Sequence, residues 1–286
     1  MMHALQILCI LGFAPLLQGI LQLVRARFQG RPGASVLQPY RDLRKLVWKE
    51  AVVSHASSIL LAAPGVVLGV SLTLAIVVPS IASPGSSPWK VDAVALALLL
   101  ALGRFVLVLA AIDTRSSFEG MAAGREIAFA SLTEAPLILA LLGSALFRDG
   151  DPTHFSGGLW ADALSASALF LVMLSETARI PVDNQETHYE LTMVHEGLVL
   201  EYSGWQLAAL HYAAYVRQAS FLTIAALLMP GTGFLTIAWM AAFALSIAVI
   251  ESTYAKLRLF EVPQLFSSAL ILALASIGLR IAEIVK

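Results

Sequence analysis

Long apolar runs separated by short polar segments dominate this 286-residue chain. A bilayer core about 30 Å thick needs about 20 largely apolar residues in one helix. The pattern therefore predicts eight transmembrane helices, at about 3–24, 57–80, 91–112, 121–147, 160–179, 205–229, 232–254 and 262–284. We expect an all-α, polytopic membrane protein that forms one transmembrane domain over residues 1–286, with its larger loops at 25–56 and 180–204.

The basic residues predict the orientation of these helices. Twelve Lys and Arg residues fall on the side of the first loop and four fall on the other side, while Arg104 and Arg217 lie within helices. Short cytoplasmic loops carry the excess of Lys and Arg in membrane proteins. The first and fifth loops are therefore expected in the cytoplasm, and both termini on the opposite side of the cell (inner) membrane.

Composition agrees with a membrane protein and excludes several other classes. The chain is 58% hydrophobic and 13% charged, whereas a soluble domain is about 45–50% apolar and about a quarter charged. A net charge of -1 gives no electrostatic basis for binding nucleic acid. Cys9 is the only cysteine, so a disulfide framework and an iron–sulfur cluster lack ligands. We expect no cofactor on this chain, and any redox centre belongs to a partner.

An amphipathic segment follows the first span. Apolar Leu43, Leu46 and Val47 recur at helical spacing from Gln38 to Glu50, and charged residues fill the other side. This pattern predicts a helix in the membrane interface, as an anchor, as a docking surface for a peripheral subunit, or both. The residues expected to dock such a hydrophilic arm are Arg25, Arg27, Arg31, Gln38, Pro39, Asp42, Lys45, Lys49 and Glu50.

The charged residues inside predicted spans include Arg104, Glu126, Glu134 and Arg217. A charge near the centre of a membrane helix costs about 2.5–3.5 kcal/mol on insertion scales, so such residues usually face a bundle interior or a water-filled cavity. Glu134 lies near the midplane, where a low dielectric favours the protonated carboxyl and suits a proton carrier. The two arginines are expected either to fix helix packing by ion pairing or to tune the carboxylates of a proton path.

The densest group of titratable side chains surrounds the fifth loop. Its members are Glu176, Arg179, Asp183, Glu186, His188, Glu190, His195, Glu196 and Glu201. If residues 183–201 are helical, Asp183, Glu186, Glu190 and Glu201 fall near one face. Clustered carboxylates raise one another's pKa values, so a row of them can pass protons from a peripheral partner toward the membrane. Plain solvation of an acidic helix face is the alternative.

No motif for catalysis or metal binding accompanies these residues. A zincin signature would need a histidine at position 199, after His195-Glu196, and Val199 stands there. A nucleophile elbow, a phosphate-binding Walker loop and a dinucleotide fingerprint are also absent from the sequence. The chain is therefore expected to have no catalytic centre of its own.

Two segments form a recognisable pair of motifs. They are Gly30-Arg-Pro-Gly33 through Gln38-Pro39, Lys45 and Lys49-Glu50, and Glu176-Thr-x-Arg179-x-Pro181-x-Asp183-x-x-Glu186 with Glu190 and Glu201-Tyr-Ser-Gly204. Together they resemble subunit 1 of proton-pumping NADH:quinone oxidoreductase, respiratory complex I. Within that superfamily, other segments resemble the membrane subunit of formate hydrogenlyase and of other group 4 [NiFe] hydrogenases. These are Asp113-Thr114-x-Ser116-x-Phe118, Arg125-Glu126, Glu134-x-Pro136, Arg217-Gln218 and Glu251-Ser252 through Ala255-Lys-x-Arg258.

The resemblance implies a membrane subunit of eight helices that anchors a hydrophilic redox arm. It implies a [NiFe] large-subunit-like partner and iron–sulfur partners on the cytoplasmic side, and antiporter-like membrane subunits beside the chain. The coupling carboxylates would be Glu126, Glu176, Asp183, Glu186 and Glu190. Two departures favour a relative that does not use quinone: His188 stands where complex I usually has a glutamate, and about three extra residues, which include His195-Glu196, precede Glu201.

Three other interpretations fit the same residues. The chain is then a quinone-site subunit of an NADH:quinone oxidoreductase-like complex, with quinone held between the first and fifth loops. Alternatively it is a structural membrane anchor without an ion path, or a stand-alone solute transporter. The identity of the ion, H⁺ or Na⁺, does not follow from the residues.

Overall fold

The computed structural model describes residues 2–52, 57–79, 81, 93–144, 158–184, 193–231 and 233–284. Within these residues the chain forms nine α-helices and no strand. The helices are α1 (Met2–Phe28), α2 (Gln38–Val47), α3 (Ser58–Val77), α4 (Ala93–Asp113), α5 (Ser117–Gly143), α6 (Leu159–Glu176), α7 (Gly204–Leu227), α8 (Phe234–Thr253) and α9 (Val262–Ile284). A short 3₁₀ helix, Glu196–Val199, precedes α7.

The predicted all-α membrane fold is confirmed. Among the described residues, seven helices are long and apolar enough to cross a membrane, namely α1, α3, α4, α5, α6, α8 and α9. The eighth predicted span corresponds to α7, whose polar side chains Gln206, His211, Arg217 and Gln218 make it less apolar than the other seven. The amphipathic segment forms α2 at the position that its pattern predicts.

Two helix ends, the start of α5 and the end of α6, differ from the predicted spans. The helix α5 begins at Ser117 rather than near 121, and Glu119 lies in its first turn, where a carboxylate is compatible with the helix dipole. The helix α6 ends at Glu176 rather than 179, and the chain turns from Thr177 to Val182. Pro181 has no N–H to continue the helical hydrogen bonding.

The helix α7 lies at the centre of the bundle. It packs against α1, α2, α3, α6 and α8, and nearly all of its second half is buried. A second group, α5, α6 and α9, packs together on one side, and α4 joins α3 to α5. Polar side chains of α7 therefore face other helices rather than lipid, which is how a membrane bundle accommodates them.

Two glycines allow the loops to approach the bundle closely. A Cβ atom at Gly19 would lie 1.9 Å from the carbonyl oxygen of Val36, so α1 touches the backbone that leads to α2. Gly204 begins α7 with a φ of 57°, and a Cβ atom there would lie 2.6 Å from the carbonyl oxygen of Lys49. Glycine adopts this left-handed conformation without steric cost. The first and fifth loops consequently meet at one end of the bundle, which we call the loop face.

The conditional prediction of a helix over residues 183–201 is wrong for the described part of that segment. Asp183 and Asn184 follow a turn, and 193–195 form a bend before the 3₁₀ helix. The carboxylate of Asp183 accepts backbone N–H groups from Asn184, Val194 and His195, which fixes a folded loop instead of a helix. Asp183 and Glu201 therefore do not share a helix face.

Candidate functional site

A buried charged cluster links α4, α5 and α6. The guanidinium of Arg104 lies 2.9 Å from the carboxylate of Glu176 and 3.6 Å from that of Glu134, and it donates a 3.0 Å hydrogen bond to Thr133. The side chains of Arg104 and Glu176 are 8% and 0% exposed, whereas that of Glu134 is 45% exposed. Arg104 therefore joins a carboxylate inside the bundle to one that reaches its surface.

Arg217 and Glu126 extend this cluster toward α7. Arg217 is buried and interacts electrostatically with Glu176, Glu126 and Arg104. The carboxyl group of Glu126 interacts electrostatically with Arg104, Glu176, Arg217 and Asp183. The structure thus brings five predicted site residues, from four different helices, into one electrostatic network. Within the described residues, neither oxygen of Glu176 has a hydrogen-bond partner of suitable geometry, although its ion pair with Arg104 is close.

A cavity of about 280 Å³ opens beside this network at the loop face. Its walls come from α1, α7, α8 and the fifth loop, and they combine hydrogen-bonding and charged groups with apolar patches. The polar lining residues are Gln18, Gln22, Arg25, Thr177, Arg179, Asp183, Asn184, His195, Glu196, His211, Tyr215, Gln218 and Glu251. Four residues predicted around the fifth loop, Arg179, Asp183, His195 and Glu196, meet in this cavity.

Asp183 holds the fifth loop in place. Besides its three backbone donors, its carboxylate lies 2.6 Å from the ammonium of Lys256, which follows α8. On the other side of the loop, Arg125 of α5 donates a 2.8 Å hydrogen bond to the carbonyl of Met193. The loop is therefore held by α5 and by the segment that follows α8, and His195 and Glu196 line the cavity.

Burial shifts the pKa values of His195 and Glu196 in opposite directions. Loss of solvent lowers the pKa of His195 to about 4, and the positive charge of Arg217 acts in the same direction while Asp183 opposes it. Burial raises the pKa of Glu196 to about 7, and the negative charge of Asp183 adds to the rise. Near neutral pH His195 is uncharged, whereas Glu196 exchanges a proton readily.

A second buried ion-pair group closes the cavity on the side of α8. The guanidinium of Arg179 lies 3.1 Å from the carboxylate of Glu251 and donates a 2.7 Å hydrogen bond to Gln218 and another to Gln18. Arg25 also pairs with Glu251, at 3.4 Å. The side chain of Arg25 thus turns inward to a buried carboxylate, and its predicted role in docking a peripheral subunit stays a prediction.

The other predicted docking residues divide into exposed and covered groups. Arg27, Arg31, Asp42, Lys45, Lys49 and Glu50 are exposed at the loop face. Gln38 donates a 2.8 Å hydrogen bond to Asp42, and Pro39, in the first turn of α2, is buried. The loop face therefore carries an exposed charged surface of both signs.

Glu201 lies apart from the cavity residues. Its backbone N–H donates a 3.1 Å hydrogen bond to the carboxylate of Glu119, at the start of α5. Tyr202 follows and donates a 3.1 Å hydrogen bond to the carbonyl of Leu60. Glu201 thus belongs to the contact between the fifth loop and α3 and α5. Glu186, His188 and Glu190 lie outside the described residues.

Several residues of the site were not among the candidates from sequence. Glu119 is fully buried, but an acidic residue in a first helical turn resembles an ordinary helix-start residue. Glu251 carried a usable signal, since it is a carboxylate within an apolar predicted span, as Glu134 is. Gln18 and Gln218 gave the weaker signal of amides within apolar helices.

No metal centre is evident in the described part of the chain: it holds no group of three or more His, Cys, Asp or Glu residues suitably placed for an ion. At the other end of the bundle, Arg280 of α9 pairs with Asp162 of α6 and donates to the carbonyl of Gly143. That pair connects the ends of α5, α6 and α9 and does not line the cavity.

Several known proteins are similar to this chain in sequence. The family described as NADH dehydrogenase matches residues 2–281. Formate hydrogenlyase subunit 4 of Escherichia coli (strain K12) is 30% identical over 75% of this chain and 72% of its own length. Hydrogenase-4 component C of the same strain is 31% identical over 79% of this chain and 74% of its own length. A subunit of the NADH-quinone oxidoreductase of Rubrobacter xylanophilus is 27% identical over 68% of this chain and 62% of its own length.

A solved structure shares the fold. A chain of the membrane-bound sulfane sulfur reductase, an archaeal respiratory membrane complex, superposes with a TM-score of 0.76 and 16% identity, covering 97% of this chain and 99% of that one. The resemblance that the loop motifs indicate is confirmed by the family match and by the two hydrogenase-type relatives. The chain is a multi-pass membrane protein that belongs to the NADH dehydrogenase subunit 1-like family.

Proposed function

We propose that this chain is the membrane subunit of a complex I-like, membrane-bound hydrogenase of the formate hydrogenlyase type. It seats a hydrophilic redox arm on the loop face and couples electron transfer to proton movement. The similarity to formate hydrogenlyase subunit 4 and hydrogenase-4 component C supports the branch. In this proposal the loop face is cytoplasmic, both termini lie on the other side, and the [NiFe] and iron–sulfur centres belong to partner subunits.

The observation that carries the proposal is a sequence of charged groups from the cavity to the middle of the bundle. Asp183 and Arg217 act electrostatically on both His195 at the cavity and Glu126 on α5. Arg217 also couples Glu126 to Glu176, and Arg104 joins Glu176 to Glu134. Carboxylates that interact in this way titrate as a coupled set, so a change of charge at one end alters proton occupancy along it.

The chain's own residues perform three tasks in this proposal. Exposed charges of α2 and its flanks give a peripheral subunit a surface of both signs to dock on. Asp183 and Lys256 keep the fifth loop against the bundle, so that Glu196 stays in the cavity. Glu196, Glu126, Glu176 and Glu134 take up and release protons. A redox change in the arm alters the electrostatic potential at the cavity, and the coupled carboxylates change their proton occupancy.

The test uses the complex purified with its native partners and reconstituted into liposomes. The Asp183→Asn variant removes the charge that connects the cavity with Glu126. We expect it to assemble and turn over, but to move at most about half as many protons per hydrogen molecule. Glu261→Gln, which alters a carboxylate at the loop face outside the network, is the matched control. Normal proton movement in Asp183→Asn would contradict the proposed route.

A quinone-site role is the second candidate, and the cavity is the observation that favours it. Its walls combine amide, histidine and tyrosine side chains with apolar residues, and the relative from Rubrobacter xylanophilus belongs to an NADH-quinone oxidoreductase. Supplying the purified complex with both its electron donor and quinone separates the two candidates. Hydrogen evolution without quinone reduction selects the hydrogenase, and quinone reduction selects the alternative. Variants of the carboxylates that change only stability would instead favour a structural anchor.

A further inference from the structure

An apolar groove lies between the amphipathic helix α2 and the first turns of α7. It has a volume of about 350 Å³, and the residues that line it are Leu43, Val47, Trp205, Ala208, Ala209 and Tyr212. None of these residues lines the cavity of the loop face. The small alanines of α7 leave space opposite the larger side chains of α2, so the two helices do not close on each other here. We call this space the α2–α7 groove.

The tyrosines beside the groove offer a ligand aromatic surface rather than hydrogen bonds. Tyr212 donates a 3.0 Å hydrogen bond to the carbonyl of Leu11, and Tyr40, three positions before Leu43 on α2, donates one to the carbonyl of Gly12. Both hydroxyl groups are therefore engaged with the backbone of α1. Burying a polar group without a hydrogen-bond partner is unfavourable. The groove consequently suits an apolar chain better than a polar molecule.

The groove begins at the level of the membrane surface and runs inward along α7. The helix α7 begins at Gly204, beside the backbone of Lys49, where the first and fifth loops meet. Trp48 and Trp205 are 84% and 52% exposed there, and tryptophan is enriched where a membrane meets water. From Trp205 to Tyr212 the groove follows α7 for about 10 Å at 1.5 Å per residue. Its two ends therefore lie at the depths of lipid headgroups and of acyl chains.

Positive charge borders the groove at its outer end. Residues 38–50 include Asp42 and Glu50 but four basic residues, namely Arg41, Arg44, Lys45 and Lys49. The ion pairs among the described residues involve none of these four. Arg44 is exposed and lies three positions before Val47, about 60° from it around α2, so it stands beside the groove. Arg41 and Lys45 are each two positions from Leu43 and lie on the opposite side of α2.

We propose that the α2–α7 groove binds an anionic phospholipid, with one acyl chain along α7 and the phosphate group beside Arg44. Charge complementarity argues for this occupant, because it joins an apolar chain to a negative group at the spacing of the groove and the guanidinium. Basic amphipathic helices are attracted to anionic lipids in the same way. The inference does not rest on the proposed function, since no residue of the charged network lines the groove.

Photo-crosslinking to defined lipids tests the proposal. The complex, purified with its native partners, carries a photo-crosslinking amino acid in place of Val47 and is reconstituted into vesicles of phosphatidylethanolamine with phosphatidylglycerol as the minor lipid. Phosphatidylglycerol should form about fivefold more of the lipid adducts than its share of the vesicle predicts, which is the preference that one basic side chain near a membrane surface confers. The same probe in place of Leu245, a half-exposed residue of α8, is the control and should show no such preference.

Three results would overturn the proposal. They are equal phosphatidylglycerol shares at the two positions, a main adduct at position 47 with a protein segment instead of a lipid, and no lipid adduct at position 47 at all. The first result would indicate ordinary surrounding lipid, and the second would indicate that another protein covers the groove.

Two matched pairs of variants, each measured with the probe at position 47, separate the headgroup contact from the acyl-chain contact. Arg44→Gln should abolish the preference for phosphatidylglycerol, whereas Arg41→Gln, on the opposite side of α2, should keep it. Ala209→Leu fills the groove and should reduce the total lipid adduct at least fivefold, whereas Ala241→Leu, at an exposed position of α8, should leave it unchanged. Equal effects within either pair would refute the corresponding contact. Proton yield does not enter these measurements, so the proposed function can fail or stand independently of their outcome.

Discussion

Replacing Arg104 with glutamine should be one of the most damaging single changes in the bundle. The variant leaves Glu176, whose side chain is 0% exposed, without the guanidinium that lies 2.9 Å away. Two unit charges about 4 Å apart attract by about 4 kcal/mol at an effective dielectric constant of about 20. Breaking a buried pair by removing one partner costs about 3–5 kcal/mol, because the remaining charge is uncompensated. We expect Arg104→Gln to lose about that much stability.

The double variant Arg104→Gln, Glu176→Gln separates the ion pair from other losses. Removing both charges should restore part of the stability, with a coupling energy of about 0.5–3 kcal/mol. It should not restore all of it, because Glu134 and Thr133 also lose their contacts with Arg104. Arg41→Gln, at an exposed position of α2, is the control and should stay within about 0.5 kcal/mol of the parent chain.

Reversible unfolding in mixed detergent micelles, followed by circular dichroism, supplies the four free energies of this cycle. If the two single variants lose less than about 1 kcal/mol each, and their effects simply add, then Arg104 and Glu176 do not interact as a buried pair. The cluster would in that case be an assembly of independent polar residues, and the argument for electrostatic coupling along α4, α5 and α6 would fail.

Three further predictions concern the loop and its contacts. The pKa of Glu196 is about 7 in the folded chain and about 4.5 in model compounds, so the folded state holds the extra proton between these values and loses stability as pH rises from about 4.5 to about 7. The thermal stability of Glu196→Gln relative to the parent should therefore rise as pH increases from about 4.5 to about 7 and stay constant above that range. A stability difference between the two proteins that does not change with pH would refute the raised pKa of Glu196. Lys256→Met should speed amide hydrogen exchange at 193–195, because Asp183 loses its cation, and unchanged exchange would show that the backbone donors suffice. Gly19→Ala should destabilise the chain by about 1–3 kcal/mol, because its Cβ would lie 1.9 Å from the carbonyl oxygen of Val36. Gly12→Ala, on the same helix, is the control and should be nearly neutral, because its Cβ would meet nothing within 4 Å. Equal midpoints of unfolding for the two variants would contradict the close approach of α1 to Val36.

The membrane helices were predictable because lipid imposes a simple rule on sequence. A span needs a long apolar run, and five helices have one without interruption, namely α1, α3, α4, α8 and α9. The helix α7 is the informative case, since its polar residues make it less apolar than the other seven long helices. Those residues are tolerated because five other helices surround it. Hydropathy records the average environment of a segment and not which of its faces is buried.

Part of the site was predictable as residues, although Glu251, Gln18 and Gln218 were missed, and its geometry was not predictable. Charges within apolar runs identified Arg104, Glu134 and Arg217, because a charge at membrane depth requires a specific environment. Their partners come from distant positions, as when Arg104 meets Glu176, and no local periodicity encodes such pairing. Arg25 is the clearest example, since it ends α1 like a surface residue yet pairs with Glu251 on α8.

The fifth loop shows why a periodic pattern can mislead. The spacing of Asp183 and Glu201 suits one helix face, but Asp183 binds backbone N–H groups and so competes with helix formation. Such local side-chain bonding depends on where the chain returns at Val194 and His195. Lys256, which completes the surroundings of Asp183, lies beyond two further helices in the sequence. These contacts emerge only once α7 and α8 have packed.

The proton yield of the Glu126→Gln variant tests the central claim most directly. Glu126 interacts electrostatically with Asp183, which lines the cavity, and with both members of the pair of Arg104 and Glu176. The complex is reconstituted into liposomes, and the protons translocated are counted for each hydrogen molecule formed. We predict that Glu126→Gln assembles and evolves hydrogen but translocates at most half the protons of the parent complex. A ratio equal to that of the parent would contradict a route through this network.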